Sequence, residues 1–194
     1  ATEHVRQAKH SGLQVTAEVT PQHLILTEDD VERLGPTGKM NPPLRLAEDV
    51  TALRAALLDG TVDAVATDHA PHHPDLKAVG LADAPAGMLG VETMASVVWD
   101  AFVNPGLMSR QRFVAVTSSQ PARIANIREH GQPLTPGNAA NIAVFDPAKA
   151  WTIDGSTLQS KSINTPWHGQ QFTGRVRHTI CRGQVVVHEG VLVS

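Results

Sequence analysis

Hydrophobic positions change their spacing several times along the chain, and each change marks an element. Residues 3–11 place Val5 and Ala8 on one helical face, with Gly12 as a stop. Residues 13–19 alternate apolar and polar, which predicts a strand. Thr27-Glu28-Asp29-Asp30 supplies an N-cap and an acidic first turn for a short helix, which Gly35-Pro36-Thr37-Gly38 breaks. The Pro42-Pro43 pair makes 39–45 an extended, stiff loop. Residues 48–58 are helical, with Val50, Leu53, Ala56 and Leu57 on helical spacing and Gly60 as the end. Val62-Asp63-Ala64-Val65 follows as a short buried strand bounded by Gly60, Pro71 and Pro74.

Beyond it, 73–87 reads as a long functional loop rich in Pro, Ala, Asp and Gly. Helices are predicted over 90–103 and 108–116, and a helical turn over 117–127. The texture then turns to strands: 141–146, 179–181 and 185–187, with turns at Gly183 and Gly190. Cys181 lies in an alternating apolar segment and is expected in the core rather than as a nucleophile.

The richest run is Ala66-Thr67-Asp68-His69-Ala70-Pro71-His72, at the predicted end of a strand. In parallel α/β architectures chemistry gathers where strands end and loops begin. An Asp there, with His one and four positions on, suits a divalent metal and a proton shuttle. The residues alone also suit a plainer role, a loop-capping Asp beside surface histidines.

The run closely resembles the Thr-Asp-His-Ala-Pro-His signature of dihydroorotases, in the amidohydrolase superfamily of metal-dependent barrels. Val19-Thr20-Pro21-Gln22-His23-Leu24 resembles that family's strand-seven motif, and Lys39-Met40-Asn41-Pro42-Pro43-Leu44-Arg45 its substrate-contacting loop. Ala84-Pro85-Ala86-Gly87 and Gly90-Val91-Glu92-Thr93 resemble the segment that closes over the pyrimidine ring. These motifs keep the family's order over residues 1–95, and the remainder resembles its C-terminal tail.

The resemblance implies an α/β fold: the C-terminal part of a TIM-like (β/α)8 hydrolase barrel, strands seven and eight, over 1–130, then part of a small β-sandwich over 131–194. It implies the reversible hydrolysis of L-dihydroorotate to N-carbamoyl-L-aspartate in pyrimidine synthesis, with two zinc ions per complete site. Asp68 matches the residue that is both metal ligand and base. His72 matches the histidine that contacts the ring carboxylate, Asn41 an asparagine at the ring amide edge, and Ala86-Gly87 the backbone against the ring. Plainer roles stay open: a solvated loop histidine for His72 and a turn residue for Asn41. His23 is read as supporting the site from behind, with packing as its alternative, and His69 as supporting the Asp68 loop. Ala86 stands where many relatives carry an aromatic residue, Asn141 replaces an acidic tail residue, and Lys77 matches nothing.

The family's remaining metal ligands, on strands one, four, five and six, have no counterpart in residues 1–194, so the chain reads as the C-terminal part of a larger enzyme, inactive by itself. Its partners would be the substrate, the missing barrel portion, and further copies or aspartate transcarbamoylase. Rival readings are a hydantoinase, dihydropyrimidinase or allantoinase, or a non-catalytic homologue that scaffolds aspartate transcarbamoylase. The Ala-Pro-His run and Asn41 favour dihydroorotase.

Bulk properties fit this picture. The 194 residues are 41% hydrophobic with a net charge of −3, which speaks against a nucleic-acid or anionic-membrane surface. No apolar run is long enough to span a bilayer, and one cysteine suits a reducing cytoplasm. The ten histidines leave room for a polar active site.

Overall fold

A computed structural model describes residues 1–193. Helix α1 (Thr2–His10) precedes strand β1 (Glu18–Val19), helix α2 (Pro21–Ile25) and helix α3 (Asp30–Leu34), which runs into a 3-10 turn at Gly35–Gly38. Helix α4 (Ala47–Asp59), strand β2 (Ala64–Val65) and helix α5 (Pro74–Lys77) follow. Helix α6 (Met94–Val98) continues as a π-helical turn over Trp99–Val103, and α7 (Arg110–Val114) does the same over Ala115–Ser119 before α8 (Gln120–Ile124). Strands β3 (Ile142–Thr152), β4 (Gln171–Cys181), β5 (Gln184–His188) and β6 (Val191–Leu192) complete the order.

The chain forms two compact units. One holds Ala1–Met94 with Thr152–Gln170, the other Ala95–Trp151 with the chain from Gln171 onward. In the first unit β1 and β2 pair in parallel, Glu18 opposite Ala64 and Val19 opposite Val65. The pair is anchored from behind: Asp63 accepts from the Ala17 N–H at 2.9 Å and from Lys9 Nζ of α1 at 2.7 Å. Helix α4 is rich in Ala and Leu, carries Glu48 and Asp49 in its first turn, and ends on Gly60 in the left-handed conformation. It buries Ala56 and Leu57, and Val19, Leu24, Val62, Ala64 and Val65 are buried in the same unit. Each large side chain buried this way stabilises by about 1.5–3 kcal/mol.

The second unit packs Val97, Val98, Phe102 and Val116 as its core. The Trp99 and Phe113 rings meet edge to face at 5.2 Å and both lean on Phe145. Its sheet has the order β3-β4-β5-β6, with β4, β5 and β6 antiparallel neighbours. No helix among the described residues is long and apolar enough to cross a membrane.

Several elements differ from the sequence expectation. The strand expected over 13–19 shrinks to its last two residues, because 13–16 are exposed and find no sheet partner. The chain turns helical at Pro21, where Thr20 caps α2 by accepting from the His23 N–H. The long loop after His72 contains α5, and the helix expected from 90 starts at Met94. Strands β3 and β4 each run 11 residues, well past the apolar runs that announced them. Cys181, expected in the core, is exposed: it is the last residue of β4, beside the Arg182-Gly183 hairpin turn, where the strand leaves cover behind.

Candidate functional site

Because β1 and β2 are parallel, the segments following them leave the same end of the pair. Asp68 stands three residues past β2 with φ +46, the left-handed region that costs most non-glycine residues energy. It is exposed, and its carboxylate makes no hydrogen bond or ion pair with the described residues. The strained backbone turns a bare carboxylate outward. His69 is tied to its own protein: its Nδ1 accepts from the N–H groups of Gly90 at 3.1 Å and Val91 at 3.4 Å. Nδ1 is therefore unprotonated, and the neutral ring carries its hydrogen on Nε2. A bridge between His69 and Met88, with the Ala70 N–H donating to Met88 O at 2.9 Å, fastens the Asp68 loop to 86–90.

His72 and Gly87 lie against each other. His72 Nε2 donates to the Ala86 carbonyl at 2.9 Å. Gly87 has φ +127, and a Cβ there would sit 2.4 Å from Ala70 Cβ and 3.2 Å from His72 Nε2. Glycine is thus required by the neighbours on its own chain as well as by its backbone angle.

Asn41 sits on an exposed loop, its amide unbonded to any described residue. That loop is held from both sides. His23 Nδ1 accepts from the Thr20 hydroxyl at 2.7 Å while its Nε2 donates to Pro42 O at 2.9 Å. The Gly87 N–H donates to Lys39 O at 2.8 Å. Lys39 Nζ reaches Ala82 O, and Lys77 Nζ donates to Pro36 O and Pro85 O at 3.1 and 2.7 Å. Burial, aided by the charge on Lys39, pushes the Lys77 ammonium below the usual lysine range. Lys77, which the sequence left without a role, is a strut between two loops. The structure thus connects Asn41, His23, His69, His72, Ala86 and Gly87 through their loops, and of these site residues leaves the Asp68 and Asn41 side chains without a bond to the described residues.

Two residues escaped the sequence reading. Asn164 and Ser162, both buried, reach the 70–72 and 87–89 segments from beyond β3. No local signal marks them; only their burial as polar groups does so. Glu92, grouped by sequence with the segment over the ring, instead accepts from the N–H groups of Gln159 and Ser160.

No group of three or more His, Cys, Asp or Glu side chains among the described residues comes together to hold a metal ion. The Asp68 carboxylate is exposed and makes no bond to the described residues, so its chemistry fits one donor to a divalent cation.

The amidohydrolase family model matches residues 2–186. The chain belongs to the amidohydrolase family. Among curated relatives of this amidohydrolase, the dihydroorotase of Streptomyces coelicolor is 45% identical over 192 residues, covering 99% of this chain and 45% of the relative. The dihydroorotase of Anaeromyxobacter dehalogenans strain 2CP-C is 47% identical, over 96% of this chain and 43% of its own. Among solved structures, the L-hydantoinase (dihydropyrimidinase) of Arthrobacter aurescens matches with a TM-score of 0.92 at 33% identity, over 100% of this chain and 44% of its own. The dihydropyrimidinase of Brevibacillus agri NCHU1002 matches with a TM-score of 0.91 at 27% identity, over 100% of this chain and 43% of that one. The chain spans less than half the length of the curated relatives it matches. The amidohydrolase fold is α/β: the last part of a TIM-like hydrolase barrel, with β1 and β2 as strands seven and eight, followed by part of a β-sandwich.

Proposed function

We propose that the protein carrying this chain is a dihydroorotase, opening L-dihydroorotate to N-carbamoyl-L-aspartate and closing it again in pyrimidine synthesis. The observation that carries the reading is the 45% identity to a dihydroorotase across nearly the whole chain. The exposed Asp68 and Asn41 side chains and the close approach of His72 to Gly87 support it. In this reading residues 1–130 are barrel and 131–194 sandwich, and the rest of the barrel completes the site. The enzyme is cytoplasmic, associates with further copies or with aspartate transcarbamoylase, and uses two zinc ions.

Asp68 is the residue of this chain that would hold the metal. The metal, when bound, supplies Lewis acidity toward the amide carbonyl and lowers the pKa of water. Water adds to that carbonyl carbon and the ring C–N bond breaks. Asp68 accepts the proton of the attacking water and delivers it to the departing nitrogen, so the proton count balances. Asn41 offers one acceptor and two N–H donors to the ring's amide edge. His72 has already committed Nε2–H to Ala86, so it meets the ring carboxylate through Nδ1. His23 and His69 hold the loops that carry Asn41 and Asp68.

The test is turnover by the complete protein on dihydroorotate, dihydrouracil, hydantoin and allantoin. Dihydroorotate is expected to be strongly preferred. The likeness to an L-hydantoinase supplies the second reading, and preference for hydantoin would establish it instead.

A further inference from the structure

Asn164, 4% exposed, uses every bonding position of its amide. Nδ2 donates to Ala70 O at 3.0 Å and to Gly87 O at 3.1 Å. Oδ1 accepts from the His72 N–H at 3.4 Å and meets the Ser162 hydroxyl. Two carbonyl oxygens at one end identify that end as the nitrogen, since only an N–H donates to a carbonyl. The Leu89 N–H donates to Asn164's own carbonyl at 3.2 Å, and Ser162 Oγ lies 2.5 Å from His72 O. One buried side chain thereby joins the two segments on either side of the His72–Ala86 hydrogen bond.

We propose that Asn164 is a positioning residue: it sets where the His72 imidazole stands relative to the Gly87 backbone, and through that the selectivity for a ring bearing a carboxylate. The substrate side rests on the dihydroorotase reading above. With Nε2 engaged by Ala86, the only ring nitrogen left for a ligand is Nδ1, and its position follows from the spacing of 70–72 and 86–87. Removing the Asn164 amide leaves the buried Gly87 carbonyl and the half-buried Ala70 carbonyl without that partner, and the segments separate to hydrate them. Aspartate fails there, since it sets an oxygen against two carbonyl oxygens.

The experiment uses the complete, metal-loaded protein with Asn164→Ala, His72→Ala and the double variant. The readouts are KM for dihydroorotate, inhibition by orotate against inhibition by uracil (the same ring without the carboxylate), metal content, and hydrogen exchange over 69–73 and 86–90. Asn164→Ala is expected to raise KM and weaken orotate about 10- to 100-fold, to leave uracil nearly unchanged, to keep the metal, and to speed exchange in both segments together. The double variant is expected to be no worse than His72→Ala, because the two act as one unit. Ser162→Ala, which keeps the Asn164 amide, gives the same pattern at smaller size and serves if Asn164→Ala does not accumulate. Additive losses, equal weakening of orotate and uracil, or unchanged exchange would overturn the proposal. If the parent protein does not turn over dihydroorotate, the functional reading falls, and exchange alone decides: joint loosening sustains the positioning role, and unchanged protection ends it.

Discussion

The His72 imidazole donates from Nε2 to the Ala86 carbonyl 2.9 Å away, so one end of the ring is spent on its own protein before any ligand arrives. The remaining Nδ1 donates to a carboxylate only when the ring is doubly protonated. His72→Ala is therefore expected to raise KM for dihydroorotate more than it lowers kcat. Asn41→Ala, which removes a free amide, is expected to do the same while both variants keep the parent's metal content by elemental analysis. Metal loss in either would move that residue into the ligand set.

Asp68 is the residue whose loss should be most severe. Its carboxylate is exposed and unpaired among the described residues, and its backbone is left-handed. Asp68→Ala and Asp68→Asn are both expected to abolish turnover in the complete enzyme, the amide because it accepts no proton. Activity of Asp68→Asn within about tenfold of the parent would remove it from the proton path, since general-base loss costs about 10²–10⁴-fold.

Gly87→Ala tests the close approach. Its Cβ would stand 2.4 Å from Ala70 Cβ at a backbone angle side chains rarely adopt. A cost of about 1–3 kcal/mol in stability is expected from the overpacking, together with faster exchange at 69–73. An unchanged melting temperature would mean that the loops yield freely.

Residues 1–194 expressed alone are expected to bind zinc poorly and to hydrolyse no dihydroorotate, because no three candidate donors converge among the described residues. Parent-like turnover by this chain would show that a complete site exists within it.

Asp59 makes a pH prediction. Burial raises its pKa, but hydrogen bonds from Thr61 and Arg6 outweigh that and hold the carboxyl below 3.8. A lowered carboxylate pKa stabilises the fold above its unfolded value, and that contribution disappears as pH falls through the folded value. Asp59→Asn is thus expected to melt slightly below the parent at neutral pH, with the gap closing in acid below 3.8. The pair is half exposed, so the gap is small. A gap that widens in acid would reverse the assignment.

What the sequence disclosed was what neighbours along the chain decide. The Asp68–His72 run and the α4–β2 succession are local patterns, as is the amidohydrolase resemblance built from them. The start of α2 was equally local, a Thr20 cap followed by Pro21, yet strand periodicity masked it. The Gly87 requirement was half legible: glycine was read as room for a ligand, while the structure shows Ala70 and His72 filling that room. Asn164 was out of reach, because its partners lie 77 and 94 residues away and nothing nearby predicts them. Cys181 misled because alternation continues to a strand's last residue although burial need not.

That long separation also gives the molecule a clock. Ala70 and Gly87 are added to the chain 94 and 77 residues before Asn164, their partner. At synthesis rates of about 5–20 residues per second, the two carbonyls wait roughly 4 to 19 seconds for their partner. The nascent chain therefore displays the Asp68 loop unlatched for that interval, and the latch closes only on chains translated past residue 164.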